Sequence, residues 1–171
     1  MILGWPQAIV LALALQRLAE LAWARRNTRR LLAQGAHEAA RDRYPLMVAF
    51  HAAWLVALFA AAPADASVDP VAAAVLLVLQ GARLWVLASL GSRWTTRIIV
   101  LPGAALVRRG PYRWVAHPNY LIVAGEVAAA PMMFGLVELA IAGSAINALL
   151  VADRIAAEDR ALKVAAPFPQ G

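Results

Sequence analysis

Between two apolar segments long enough to span a bilayer runs the stretch Gly110-Pro111-Tyr112-Arg113-Trp114-Val115-Ala116-His117-Pro118-Asn119-Tyr120-Leu121. Glycine, two prolines, histidine, asparagine and two tyrosines make a poor lipid-facing helix. Irregular polar backbone at the edge of a membrane is tolerated where it lines a cavity or binds something. The chemistry of this chain is therefore sought here first. A second polar stripe follows at Asn147, Arg154 and Glu158, spaced to lie on one helical face, with Asp153 and Asp159 beside it. A helix end with mixed solvated charges is the plain alternative. Two polar segments meeting on one side of a membrane would instead make a site.

Other ionisable residues fall inside apolar runs, where they are costly and are functional candidates by default. Arg17 and Glu20 stand three apart, so they share a face and read as a self-satisfied pair that fixes helix packing. His51 has no second histidine at metal-ligand spacing and reads as a hydrogen-bonded core residue. Glu126 lies two turns beyond Asn119 on the same face. Packing and a share in the chemistry remain equally open for it. His37 and His117 are isolated in loops, so no three- or four-ligand zinc site can be drawn and no metal is expected.

The composition sets the setting. Of 171 residues 63% are hydrophobic, and the mean hydropathy is +0.66. Those values exceed what an ordinary soluble domain carries. The absence of cysteine excludes disulfides and thiolate chemistry. The net charge of +6 comes from arginines that border apolar runs. That distribution fits loops facing anionic lipid and points away from nucleic acid. No G-x-G-x-x-G, Walker loop or H-E-x-x-H is present.

One all-α integral membrane domain over residues 1–171 is predicted, with about five transmembrane helices. The spans are placed at about 3–24, 45–62, 71–90, 120–134 and 136–155. The last two are joined around Pro131 and Gly135 as a tight C-terminal helical hairpin. The loops 25–43 and 93–113 are arginine-rich, whereas 63–69 carries only Asp65 and Asp69. The positive-inside rule puts the arginine-rich loops and the C-terminus in the cytoplasm and the N-terminus outside. The N-terminal segment lacks a basic leader and is read as a retained helix.

The run Gly110-Pro111-Tyr112-Arg113 followed by His117-Pro118-Asn119-Tyr120 resembles the G-x-Y-x-x-x-R-H-P-x-Y motif of isoprenylcysteine carboxyl methyltransferases. Arg154-Ile155-Ala156-Ala157-Glu158-Asp159 with Ala161-Leu162 is similar to their C-terminal R-I-x-x-E-[E/D]-x-x-L motif. The resemblance covers about residues 80–163. Arg17-Leu18-x-Glu20-Leu21 and Arg26-Asn27 resemble a small bacterial branch, some of whose members methylate hydroxyls of alkylpyrone and alkylresorcinol polyketides. Ala116 stands where the family usually has arginine, and Ile122 where many members have glycine.

The resemblance implies a methyltransferase of the bacterial inner membrane that uses S-adenosylmethionine, methylating an oxygen of a lipophilic acceptor. It implies a cytoplasmic cofactor pocket from Gly110, Tyr112, His117, Pro118, Tyr120 and Glu158. Arg154, Glu126 and Asn119 are the catalytic candidates, and the acceptor enters from the bilayer. The donor set suits that cofactor. Glu158 answers its ammonium or ribose, the amides after Pro118 its carboxylate, and the Tyr112, Trp114 and Tyr120 rings its sulfonium. A phospholipid N-methyltransferase, an NADPH-dependent membrane reductase of the sterol-reductase type and a non-catalytic scaffold stay open as alternatives.

Overall fold

A computed structural model describes residues 4–165. Its order is α1 (Trp5–Ala33), β1 (His37–Ala39), α2 (Tyr44–Ala61), α3 (Pro70–Leu90), β2 (Ile98–Val100), α4 (Pro118–Met132) and α5 (Val137–Ala165). The protein is an all-α integral membrane protein. Among the described residues, α1, α2, α3 and α5 are long and apolar enough to cross a bilayer. Their outward faces are apolar: Leu77 and Val78 are each 72% exposed and Leu149 is 74% exposed. Water would not tolerate such a belt, whereas lipid does.

The helices alternate in direction, and contacts at their ends fix which ends meet. Gln7 donates to the Ala62 carbonyl at 2.6 Å, and the Asp69 amide donates to the Met133 carbonyl at 3.0 Å. Those bonds gather the start of α1, the α2–α3 loop and the α4–α5 turn at one end. At the other end, Asn27 donates to the carbonyls of Gly91 and Trp94, at 3.2 and 2.9 Å. The 15 residues of α4 reach only about 22 Å at the usual helical rise. They nevertheless run from one end of the bundle to the other. Pro131 lies inside the last turn of α4, and Gly135, at φ 73°, turns the chain into α5.

The predicted hairpin is present, and the helices overrun the predicted spans. α1 continues to Ala33 and α5 to Ala165, because the arginines, leucines and alanines of these stretches are good helix residues whether or not the chain is in lipid. The small sheet was not foreseen. β1 pairs antiparallel with β2, setting His37 opposite Val100 and Ala39 opposite Ile98. It ties the two arginine-rich loops together. Ile98 and Val100 are buried against Ala157, Ala161 and Leu162. The sheet therefore braces the end of α5 that carries Arg154 and Glu158.

Candidate functional site at the arginine-rich end

The polar loop is anchored before it reaches α4. Gly110 has φ 57°, and a Cβ there would come within 2.0 Å of Ser89 Oγ and 3.1 Å of Trp85 Nε1. Only glycine fits, both for its left-handed backbone and for this approach to α3. Arg109 Nε donates to the Ser89 carbonyl at 2.8 Å, and the Trp85 and Trp114 rings lie 5.8 Å apart. Gly110 thus fixes where the loop lies. Pro118 opens α4 at the position where its missing N–H costs nothing. The first turn of α4 then presents Asn119 and Tyr120.

Those residues meet the end of α5. Tyr120 Oη donates to Glu158 at 2.5 Å and accepts from Arg154 Nε at 3.0 Å. A second Arg154 nitrogen donates to the Thr96 carbonyl at 2.5 Å. His117 Nε2 lies 3.0 Å from Asp159, so this nitrogen carries the proton, since a carboxylate only accepts. The His117 ring stacks on Tyr120 with centroids 5.5 Å apart, and its Nδ1 lies 3.7 Å from Glu158. Burial, and after it the charge of Glu158, pushes the Tyr112 hydroxyl above its ordinary range, so Tyr112 stays a neutral donor beside that carboxylate. Asn119 Oδ1 is buried and finds no partner among the described residues.

The cluster is open and incomplete. The Asp159 side chain is 48% exposed and that of Glu158 31%. Two carboxylates face one guanidinium, so the exposed side is acidic and suits a cation. Across Arg154 lies a cavity of about 180 Å³, lined by the apolar Leu46, Met47, Leu150 and Ala157, by Tyr44, and by the charged Glu38, Asp42, Arg43 and Asp153 as well as Arg154. Tyr44 is held by Thr96, with Oη 3.0 Å from Oγ1, and by Arg97 stacked 4.4 Å above its ring. Arg154 therefore borders both the acidic cluster and an amphipathic cavity between α2 and α5.

Glu126 has other partners. It accepts from Arg17 at 2.7 Å, from Gln80 at 3.0 Å and from Arg83 at 3.1 Å. Arg83 Nε also donates to both oxygens of Glu20, at 2.8 and 2.9 Å, and Arg17 donates to Glu20 at 3.0 Å. Glu126 thus closes a buried four-charge cluster among α1, α3 and α4 and, among the described residues, makes no hydrogen bond to those around Tyr120. Helical spacing puts Asn119 and Glu126 on one face, but two arginines deeper in the bundle claim the carboxylate. The Arg17–Glu20 pair forms as its spacing indicates and is half of that larger network. His51 bonds the Met47 carbonyl through Nδ1 at 2.9 Å. Sequence reasoning passed over Arg83, although a lone arginine inside an apolar span was the available signal. Thr96 contributes through its backbone carbonyl, which leaves no trace in residue type. Among the described residues, no group of three metal-ligating side chains converges.

The polar loop and the last helix thus clasp each other at one end of a helical membrane bundle. Residues 72–164 match the isoprenylcysteine carboxyl methyltransferase (ICMT) family, and the chain belongs to that family of membrane methyltransferases. It is 38% identical over 159 residues to a Bacillus subtilis (strain 168) protein described as uncharacterized protein YpbQ. The match covers 91% of this chain and 95% of that protein. No solved structure matches the chain.

Proposed function

We propose that the protein is an S-adenosylmethionine-dependent O-methyltransferase acting on a lipophilic acceptor within the membrane. One observation carries this reading: Tyr120 joins Glu158 to Arg154, setting an acidic cluster on one side of the arginine and a membrane-edge cavity on the other. The donor set fits the cofactor. Glu158 and Asp159 answer its ammonium and ribose hydroxyls, Tyr112, His117 and Tyr120 offer ring faces, and the unpartnered Asn119 Oδ1 accepts a further donor. When bound, this cofactor supplies an electrophilic methyl group.

The residues of the chain position and exclude. Arg154 is held by Thr96 and Tyr120, so its guanidinium faces the cavity pre-aimed at an anionic acceptor oxygen. An acidic hydroxyl or a carboxylate ionises near neutrality and needs no strong base. Of the cavity's acids Glu38 is paired with Arg97 and Asp153 with Arg43, so Arg154 favours such an oxygen over an amine. The cavity floor of Leu46, Met47 and Leu150 suits an alkyl or prenyl tail entering between α2 and the α4–α5 hairpin.

The arginine-rich end is taken as cytoplasmic, with the N-terminus outside. Reporter fusions at residue 65 should signal outside and C-terminal ones inside. The reverse would move the site to the wrong side for a cytosolic cofactor. The direct test is labelled S-adenosylmethionine offered with alkylpyrones, prenylcysteines and phosphatidylethanolamine. Label on an acceptor oxygen is expected. Transfer to the phosphatidylethanolamine nitrogen, or NADPH binding in place of S-adenosylmethionine, would overturn the reading.

A further inference from the structure

Below the cavity floor lies a set of polar groups that the proposed chemistry does not use. Asn147 on α5 is 1% exposed, and neither atom of its amide finds a partner among the described residues. Trp54 Nε1 on α2 is likewise buried and unpaired. The two lie close together. A Cβ on Gly143, one turn before Asn147 on the same face, would come within 3.1 Å of Trp54 Nε1. The indole therefore packs against α5 at this glycine.

His51 stands one turn before Trp54 on α2 and completes the set. Its Nδ1–H donates to Met47, so the neutral ring leaves an unprotonated Nε2 free to accept. Met47 and Leu150 line the cavity, and His51 and Asn147 are about one turn further in on the same two helices. Unpaired buried amide and indole groups cost stability with nothing bound. Such orphans mark a place where a partner belongs. The chemistry of that partner follows from the groups. Trp54 N–H and the Asn147 NH2 donate, while Asn147 Oδ1 and His51 Nε2 accept. No cation is among them. The set matches a neutral hydroxyl or carbonyl and does not match a carboxylate.

We infer that Trp54, Asn147 and His51 form a second recognition point for the acceptor, which therefore carries a neutral oxygen in addition to the one held at Arg154. The inference rests on the methyltransferase reading for the place of the first oxygen. Arg154 lies seven residues beyond Asn147, about 10 Å along α5. Helical side chains lean toward the N-terminus of their helix, so the long Arg154 side chain spans part of that distance. Met47, unbranched and flexible, must move aside for the acceptor. These are positioning and specificity residues, and the reacting oxygen stays at Arg154.

Two probes with the same tail and the same ionised carboxylate separate the cases: 3-hydroxy-5-pentadecylbenzoic acid, with a neutral hydroxyl besides, and 3-pentadecylbenzoic acid, without one. Thermal stabilisation of the purified protein measures binding, and labelled methyl transfer measures KM and kcat. The wild type should hold the hydroxylated probe with at least about tenfold higher affinity than the plain one, the ratio expected for one well-made buried hydrogen-bonding point. Asn147→Leu and Trp54→Phe should bring that ratio close to one through KM, with kcat on the plain probe retained. Asn147→Leu removes an unsatisfied amide and should fold at least as stably as the wild type, so loss of selectivity cannot be laid to misfolding. An unchanged ratio in both variants, or equal affinity of the wild type for the two probes, means that the orphans hold only water and overturns the inference. If neither probe is methylated, the methyltransferase reading on these acceptors fails. The Asn147-dependent difference in thermal stabilisation then still decides whether the pocket exists.

Discussion

Two charge clusters sit in this bundle, and they differ in how far their hydrogen-bonding capacity is spent. At mid-bundle Arg17, Arg83, Glu20 and Glu126 balance two charges against two. Gln16 donates to Glu20 and Gln80, and Gln80 donates to Glu126. A cleft of about 280 Å³ opens beside this cluster, lined by Gln16, Trp23, Gln80 and Leu84 among others, yet its polar groups are already engaged with one another. At the arginine-rich end the cluster is unbalanced. Glu158 and Asp159 are partly exposed, Asn119 Oδ1 is orphaned, and a cavity adjoins Arg154. A saturated polar network specifies a fold, whereas an unsaturated one has capacity left for a ligand. The larger cavity is therefore the less informative of the two.

The largest expected effect breaks the saturated cluster. Arg83→Met strips Glu20 of its bidentate partner and Glu126 of one of its two arginines. Removing one member of a buried charge group typically costs about 3–5 kcal/mol, because the charge left behind is uncompensated. Thermal unfolding in detergent should show this loss. The double variant Arg83→Met/Glu20→Leu leaves Arg17 and Glu126 as a balanced pair and should be more stable than Arg83→Met alone. Equal losses in the single and double variants would mean that the four charges do not act as a unit.

At the other cluster the effect should fall on turnover instead of stability. Arg154→Lys keeps the charge but loses the planar fork that bonds Thr96 and Tyr120 together, and the two side chains are not equivalent at such a place. Turnover should fall by more than about tenfold, with cofactor affinity nearly intact. Wild-type turnover would demote Arg154 to a packing residue. Glu158→Gln keeps an acceptor for Tyr120 while removing the charge. It should weaken S-adenosylmethionine binding about tenfold, or roughly 1.4 kcal/mol, as read by calorimetry. Unchanged affinity would separate Glu158 from the cofactor.

The contrast between the clusters was only partly legible in the sequence. Hydropathy and arginine placement announce the helices, since burial in lipid needs long apolar runs whatever the packing. Spacing gave the Arg154–Glu158 face and two polar segments on one side of the membrane, but not the bonds of Tyr120 to Glu158 and Arg154, which cross from α4 to α5. The fate of Glu126 was not. Spacing along α4 gives its face, but its partner Arg83 comes from α3, and only the packing angle of the helices shows that they meet. The role of Gly110 was hidden for a similar reason, because the clash that excludes a side chain is with Ser89, 21 positions earlier. The sheet escaped notice because strands of three residues are too short to show an alternating pattern.

The smallest expected effect tests the rim of the saturated cluster. Gln16 donates to Glu20 at 3.0 Å and to Gln80 at 2.8 Å. No charge depends on it: Glu20 keeps the Arg83 guanidinium, through Nε and a second nitrogen, and one donor from Arg17, while Gln80 loses the donor to its Oε1 but still donates to Glu126. Gln16→Leu therefore removes hydrogen bonds without leaving a bare charge. The substitution also exchanges a partly exposed amide for an apolar side chain at the cleft, which offsets part of the loss. A net change of about 1 kcal/mol or less follows, the ordinary worth of a neutral hydrogen bond. Methyl transfer should not move, because Gln16 lies on α1 within the closed network and touches nothing around Arg154. If Gln16→Leu instead unfolds the protein as Arg83→Met does, the cluster has no redundancy and its saturation is only apparent. If it impairs turnover at full stability, the two clusters communicate, and the division between a fold-specifying centre and a ligand-accepting one must be redrawn.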